Sequence, residues 1–294
     1  MIALIVTLVT LTLLKATPIV YAALGGVISE RSGVVNIGLE GMMAAGAFSA
    51  VVASNAVGSP DGNVVVGPIV GLIVGILVGA LFGWILGYAA TKFKVDQIVA
   101  GMGINLLCAG GAAYGLVLIF NQPGASNQVN SLGNWYWVLM VFAAVCAIGL
   151  HWLIYHTPWG LRVQACGENP HAVKSAGLNP LKLRVVAVTI SGALAGLGGA
   201  FLSIGELNLY SDQMTAGRGF IALAAVIFGR WTPLGATGAA IFFGFFEALQ
   251  FVLQGHVGWL PSDAMTALPY LAALVALAGI TGRVRAPASD GVPY

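Results

Sequence analysis

From Val64 to Thr91 the chain runs without a single charged residue. That run is longer than the roughly 20 apolar residues an α-helix needs to cross a bilayer core. Backbone inside lipid must satisfy its own hydrogen bonds, so such a run is a helix or belongs to a closed barrel. Runs of similar character recur along the chain: Ile2–Ile28, Val35–Ala56, Ile98–Phe120, Trp135–Leu153, Val185–Ile204, Leu234–Leu253 and Ala267–Ile280. Their length suits helices and is about twice that of barrel strands. Only 7% of the 294 residues are charged, against roughly 25% in soluble domains. The chain therefore reads as an all-α polytopic membrane protein forming one membrane domain over residues 1–294, with about eight to ten spans.

Two runs carry features that a plain span would not. Lys15 and Pro18 sit inside the first. A charge at bilayer centre costs about 2.5–3.5 kcal/mol on insertion scales, so this run is either one kinked span or a shorter one with an interfacial lead-in. In the Val64–Thr91 run glycine falls at every fourth position: Gly67, Gly71, Gly75, Gly79, Gly83 and Gly87. Four residues turn a helix by about 400°, so these glycines form a slowly drifting ridge without side chains. Another helix can pack closely on it, as a fixed contact or as a surface that slides. The segment Gly219–Gly229 is too short to span upright, and RWTP, Arg230–Pro233, breaks the chain after it. The glycine- and proline-rich segments 32–41 and 229–235 are candidates for broken helices beside a pathway.

The longest polar interval is Tyr155–Arg184, which carries Arg162, Lys174, Lys182 and Arg184 against one acid, Glu168. Asn169 suits an N-cap, Pro170 the first helical position and Gly177 a left-handed stop. A short helix, Pro170–Ala176, is predicted on a loop outside the bilayer. Lys92 and Lys94, the 155–184 interval, Arg230, Arg283 and Arg285 fall on one side if each intervening segment crosses once. The uncharged loop Asn121–Asn134 and the acids Asp61, Asp212 and Asp263 fall on the other. The positive-inside rule then places the loop 155–184 and the tail 283–294 in the cytoplasm, with the N-terminus outside and about nine crossings. Trp135, Tyr136 and Trp137 suit an interfacial belt. The N-terminus lacks the basic lead-in of a signal peptide and reads as part of the mature chain.

Chemistry is sparse. No phosphate-binding loop, zinc-protease motif or nucleophile elbow is written in the chain. Cys108, Cys146 and Cys166 show no ligand spacing and read as small apolar residues. His151, His156, His171 and His256 read as interfacial or solvated. No catalytic residue, metal site or bound cofactor is expected, and nothing calls for nucleic acid. Four residues are candidates for a translocation pathway or gate: Asn36 and Glu40, four apart and so on one side of a helix, and Glu247 with Gln250 in the apolar helix GFFEALQF. Carboxylates inside spans face protein or water, so each is a pathway group or a lock between helices. Glu30 and Arg31 can pair with each other or with lipid headgroups.

Three blocks carry a resemblance. ERSGVVNIGLEGMMAAGAF, Glu30–Phe48, resembles the signature of ABC-transporter permeases of the ribose and branched-chain amino acid type, with Glu30, Arg31, Gly33, Asn36, Gly38, Glu40 and Gly41 as the signature positions. GENPHAVKSAGLNP, Gly167–Pro180, is similar to that family's cytoplasmic coupling loop, and Gly217–Ala236 to a third block. The resemblance implies an importer permease fold with some broken helices and no enzyme activity in this chain. It also implies a cytoplasmic ATPase that uses ATP and Mg, a second, different permease subunit, and an extracytoplasmic substrate-binding lipoprotein. The ATPase contacts would be Gly167, Glu168, Asn169, Pro170, His171, Ala172, Lys174, Ala176 and Gly177. Among such permeases the first block is most similar to those for nucleosides, with simple-sugar permeases close behind. His171, Ala172 and Val173 depart from the family's usual residues, and the first span is short. A second reading from the residues alone is an ion-coupled carrier of a small polar solute. It would have to use Glu40 and Glu247 as its coupling groups.

Overall fold

The computed structural model describes residues 2–57, 65–256, 267, 269, 271, 274 and 285–294. Within them lie ten α-helices: α1 (Ile2–Arg31), α2 (Leu39–Ala56), α3 (Val66–Lys92), α4 (Gln97–Phe120), α5 (Tyr136–His156), α6 (Pro158–Glu168), α7 (Pro170–Ser175), α8 (Pro180–Ala200), α9 (Arg218–Phe228) and α10 (Pro233–His256). α8 continues as a π-helical turn, Phe201–Leu207. Among the described residues, six helices are long and apolar enough to cross a membrane: α1, α3, α4, α5, α8 with its extension, and α10. The expected run Ala267–Ile280 lies mostly outside the described residues. Large apolar side chains point outward along the long helices, among them Leu77, Leu106, Leu118, Val141 and Ile148. Such a surface belongs in lipid rather than in water.

The core is built by close backbone approach. All six ridge glycines of α3 are buried. A Cβ at Gly83 would lie 2.5 Å from the Val188 oxygen, and one at Gly79 would overlap the Gly192 oxygen. On α2, a Cβ at Gly46 would lie 2.5 Å from the Gly196 oxygen. Glycines of α2, α3 and α8 thus face one another. The ridge is a tightly packed contact. Without side chains between them, helices gain dispersion contacts and approach closely, which is how membrane helices associate where water offers no hydrophobic drive.

The structure corrects several boundaries. The first run is one continuous helix through Pro18. It is not lipid that receives Lys15. The residue is only 8% exposed and forms an ion pair with Glu206. Glu206 lies beyond the expected run Val185–Ile204 and belongs to the π turn that prolongs α8. Residues 32–38 are non-helical, so the second span starts at Leu39 rather than Val35. The 155–184 interval is not a loop with one short helix. It holds α6 and α7, and the span α8 already begins at Pro180. α6 escaped sequence reading because its roughly three turns follow α5 with only Thr157 between them. Thr157 caps it from the side chain to the Gly160 N–H, and Pro158 occupies the first position.

Opposite ends of the bundle are closed differently. At one end Arg31 donates to the Trp231 carbonyl at 2.7 Å and to the Tyr155 hydroxyl at 3.0 Å, joining α1, α5 and the α9–α10 turn. At the other, the uncharged 121–134 loop bonds to the segment after α8. Ser126 N–H donates to the Tyr210 carbonyl at 2.8 Å, and Asp212 N–H to the Gly124 carbonyl at 2.7 Å.

Candidate functional site

The turn after α1 re-enters the bundle as extended chain, and every polar group in it needs a partner there. Ser29 Oγ donates to the Val34 carbonyl at 2.7 Å, and Ser32 Oγ to the Ser29 carbonyl at 2.6 Å. Gln97 of α4 accepts from the Val35 N–H at 2.7 Å. Asn36 is fully buried and donates to Ser191 Oγ of α8 at 2.9 Å. Ser191 lies about 16 Å along α8 from Pro180 by helical rise, so the non-helical segment reaches well inside the helix bundle. Asn105 of α4 holds the start of α2, accepting from the Gly41 N–H at 2.8 Å and donating to the Ile37 carbonyl at 3.0 Å. Gly38 and Gly41 permit this, since a Cβ at Gly41 would lie 2.7 Å from Asn105 Cα. Gly33 has φ of +88°. The expected common face of Asn36 and Glu40 is absent, because Asn36 precedes the helix and turns to α8.

Glu40 turns instead to α9. Its two oxygens accept from the Gly217 N–H at 2.9 Å and the Gly219 N–H at 2.6 Å. α2 and α9 are both interrupted helices, and their N-termini meet at this one carboxylate. Each N-terminus carries unsatisfied N–H groups and partial positive charge, so the carboxylate is held from two sides. Glycine at 219 is required, because a Cβ there would lie 2.5 Å from Glu40 Cα. Glu30 accepts from the Trp231 indole N–H, and Arg31 bonds Trp231 and Tyr155. These two signature residues therefore pair with the α9–α10 turn and α5, and not with each other, one of the two expected arrangements.

Two cavities flank the start of α9. One of about 180 Å³ is lined by Glu40, Asn105, Tyr210, Asp212 and Thr215 among others. The other, of about 240 Å³, is lined by Arg218, Glu247, Gln250 and Phe251 among others. Glu247 forms an ion pair with Arg218. Lys15, paired with Glu206, stacks 4.2 Å from the Phe251 ring centre. Sequence reasoning named Glu247 and Gln250 but missed Arg218, Lys15 and Glu206 as their surroundings. A signal was present, since a buried acid in a span needs a basic partner. With Glu40 held by two N–H groups and Glu247 by a guanidinium, neither carboxylate is left as a free ion-coupling group.

At the basic end, α7 is a helix with both ends sealed. Asn169 Oδ1 accepts from the Ala172 N–H at 3.1 Å. The Leu178 N–H donates to the Val173 carbonyl at 3.2 Å and the Gly177 N–H to the Lys174 carbonyl at 3.0 Å. That is the Schellman pattern, with Gly177 at φ +79°. Pro170 and Val173 are buried, while His171, Ala172, Lys174, Ala176 and Gly177 are exposed. Val173 packs inward, so of the unusual residues only His171 and Ala172 face outward. Gly167 is pressed against the backbone of Arg31 and Gly33.

The sequence did not reveal how the tail docks here. Arg184 is 1% exposed and donates to the Ser32 carbonyl and the Val292 carbonyl, each at 3.1 Å. The Ser289 N–H donates to the Gly167 carbonyl at 2.8 Å and its hydroxyl to the Glu168 carbonyl at 3.2 Å. The Tyr294 ring meets the His171 ring edge-on at 4.8 Å. Burial pushes the Asp290 carboxyl up to about 7, against the opposing pull of Arg184 and the Gly291 N–H. A carboxyl whose pKa is raised by docking costs the docked tail nothing below its ordinary 3.8 and progressively more as pH rises from there to about 7, so docking is firmest at low pH.

Residues 8–278 match the family model described as the branched-chain amino acid transport system permease component. The chain belongs to this family of ABC-transporter permeases. The permease is 38% identical to the guanosine ABC transporter permease protein NupQ of Bacillus subtilis, over 98% of this chain and 96% of that one. It is 34% identical to the nucleoside ABC transporter permease protein NupC of Lactococcus lactis, over 96% and 94%. Among solved structures, an inward-facing metal-chelate type ABC transporter matches with a TM-score of 0.56 at 16% identity, covering 92% of the permease and 85% of that chain. At that identity the match speaks for the fold alone. Family and helices together make the chain a multi-pass membrane permease subunit, of a family whose permease subunits are not themselves enzymes.

Proposed function

We propose that this permease is one of two membrane subunits of an importer that moves nucleosides or related sugar-containing solutes by alternating access. The ATP and Mg are used by a separate cytoplasmic ATPase docked on α7. A second, different permease subunit completes the pathway, and an extracytoplasmic binding lipoprotein delivers the solute. The α6–α7 segment and the tail lie on the cytoplasmic side. The observation that carries this reading is α7 itself. It is sealed at both ends, exposed on one face, and joined through α6 and α8 to two spans. A sealed helix of this kind moves as a unit and passes displacement to what it is attached to. The nucleoside assignment rests on the names of the relatives, and the neutral character of such solutes fits a site whose charges are already paired.

Two conformations biased by nucleotide and solute are what an importer requires. The interrupted helices α2 and α9 supply the element that differs between them. Asn36 and Glu40 hold that element shut, while Glu247 and Gln250 line the adjoining cavity. Opening exchanges the Glu40 contacts for contacts with solute or water. Ion coupling gains no support from either carboxylate.

Gly177→Val tests the docking assignment. A β-branched residue at φ +79° is strained, while the site is open, with nothing within 4 Å of a Cβ. The variant should insert normally and lose about tenfold in solute-stimulated ATP hydrolysis with the partner ATPase, from roughly 1–3 kcal/mol of local strain. Gly177→Asn, which tolerates this conformation, should keep most of it. Unchanged stimulation in the valine variant would remove the docking role from α7.

A further inference from the structure

We infer that the C-terminal tail is a strut that transmits movement of α7 to the re-entrant turn, with Arg184 as its positioning residue. The inference rests on the docking role proposed for α7. Four contacts define the route. Tyr294 lies edge-on to His171 of α7. Ser289 is bonded to the last residues of α6 through both its N–H and its hydroxyl. The Val292 carbonyl accepts from Arg184 at 3.1 Å. The same guanidinium reaches the Ser32 carbonyl at 3.1 Å. Its other nitrogen lies 2.6 Å from where a Cβ of Gly33 would stand. One buried cation therefore clamps two separate strands of chain, the tail and the turn that leads to Asn36 and Glu40.

The physical case is stiffness. A guanidinium offers donors in a rigid planar fork. It is buried here, and its partners are carbonyls. Separating tail from turn would strip the buried guanidinium of the acceptors on one side, which is disfavoured. Tail and turn are thus constrained to move together. Among the described residues, α6 also meets the turn through the van der Waals contact of Gly167 with the Arg31 and Gly33 backbone. That contact can push, but it cannot pull. A transport cycle needs displacement in both directions, and the hydrogen-bonded tail supplies the second.

The test uses the full importer, co-expressed and reconstituted with its own ATPase and binding protein, with guanosine as the probe. A stop codon at Ser289 removes the strut. The ATPase should still co-purify, because α7 is intact, and basal hydrolysis should persist. Guanosine moved per ATP hydrolysed should fall about fivefold or more. Tyr294→Ala, which removes the ring contacts on His171 and on the Arg184 guanidinium, should lower the ratio about threefold. An unchanged ratio in both variants would overturn the strut, leaving the Gly167 contact sufficient. Loss of the ATPase from the truncated complex would also overturn it, since the tail would then be a docking surface. Failure of the α7 reading looks different: Gly177→Val would leave stimulation intact whatever the tail variants do.

Discussion

Gly192→Leu is expected to abolish accumulation of folded permease. A Cβ at 192 would overlap the Gly79 carbonyl oxygen and lie 2.8 Å from Gly83 Cα. Those atoms are backbone and cannot turn aside as a side chain does. Overpacking a core with movable neighbours costs about 1–3 kcal/mol, and here α3 and α8 must separate along several turns. Fluorescence-detected size exclusion in mild detergent should show an aggregated or absent peak. Gly103→Leu makes the same chemical change on α4, where nothing lies within 4 Å of a Cβ, and should elute as the parent does. Equal behaviour of the two variants would contradict the ridge packing.

Glu40→Ala should lower thermal stability sharply. It deprives the Gly217 and Gly219 N–H groups of their acceptor. An unsatisfied buried donor costs about 1–3 kcal/mol, more where the lost partner is charged, so about 3–5 kcal/mol is expected for the pair. Glu40→Gln keeps one acceptor and should lose roughly half as much. Thermal unfolding monitored in detergent checks both. If Glu40→Gln unfolds like the parent yet solute uptake disappears, Glu40 is a pathway group first and a lock second.

The comparison of chain and structure has a physical pattern. The long spans and the α3 ridge were legible because the bilayer fixes helix length and glycine spacing fixes a face. α7 was legible from Asn169, Pro170 and Gly177, since caps are local chemistry. Glu40 was visible as a costly carboxylate, but its partner was not, because Gly217 and Gly219 contribute only N–H groups about 180 residues away. The common face assigned to Asn36 and Glu40 failed because helical spacing was applied across a break. Gly33 and Gly38 were the available warning of that break. Arg184 was counted for its charge and its topology, while its role as a buried clamp depends on a tail distant in sequence. Lys15 looked like a misfit in a span until Glu206 came beside it through α8. Long-range pairing of this kind leaves no periodic trace in either segment.

The central claim is that this chain carries solute for an ATPase it does not contain. The most direct measurement is guanosine uptake into proteoliposomes holding the permease with the ATPase, second permease and binding protein that co-purify with it. ATP enclosed on the ATPase side should drive accumulation, and omission of ATP or of the ATPase should abolish it. Uptake by the permease alone, driven by an ion gradient and indifferent to ATP, would contradict the account.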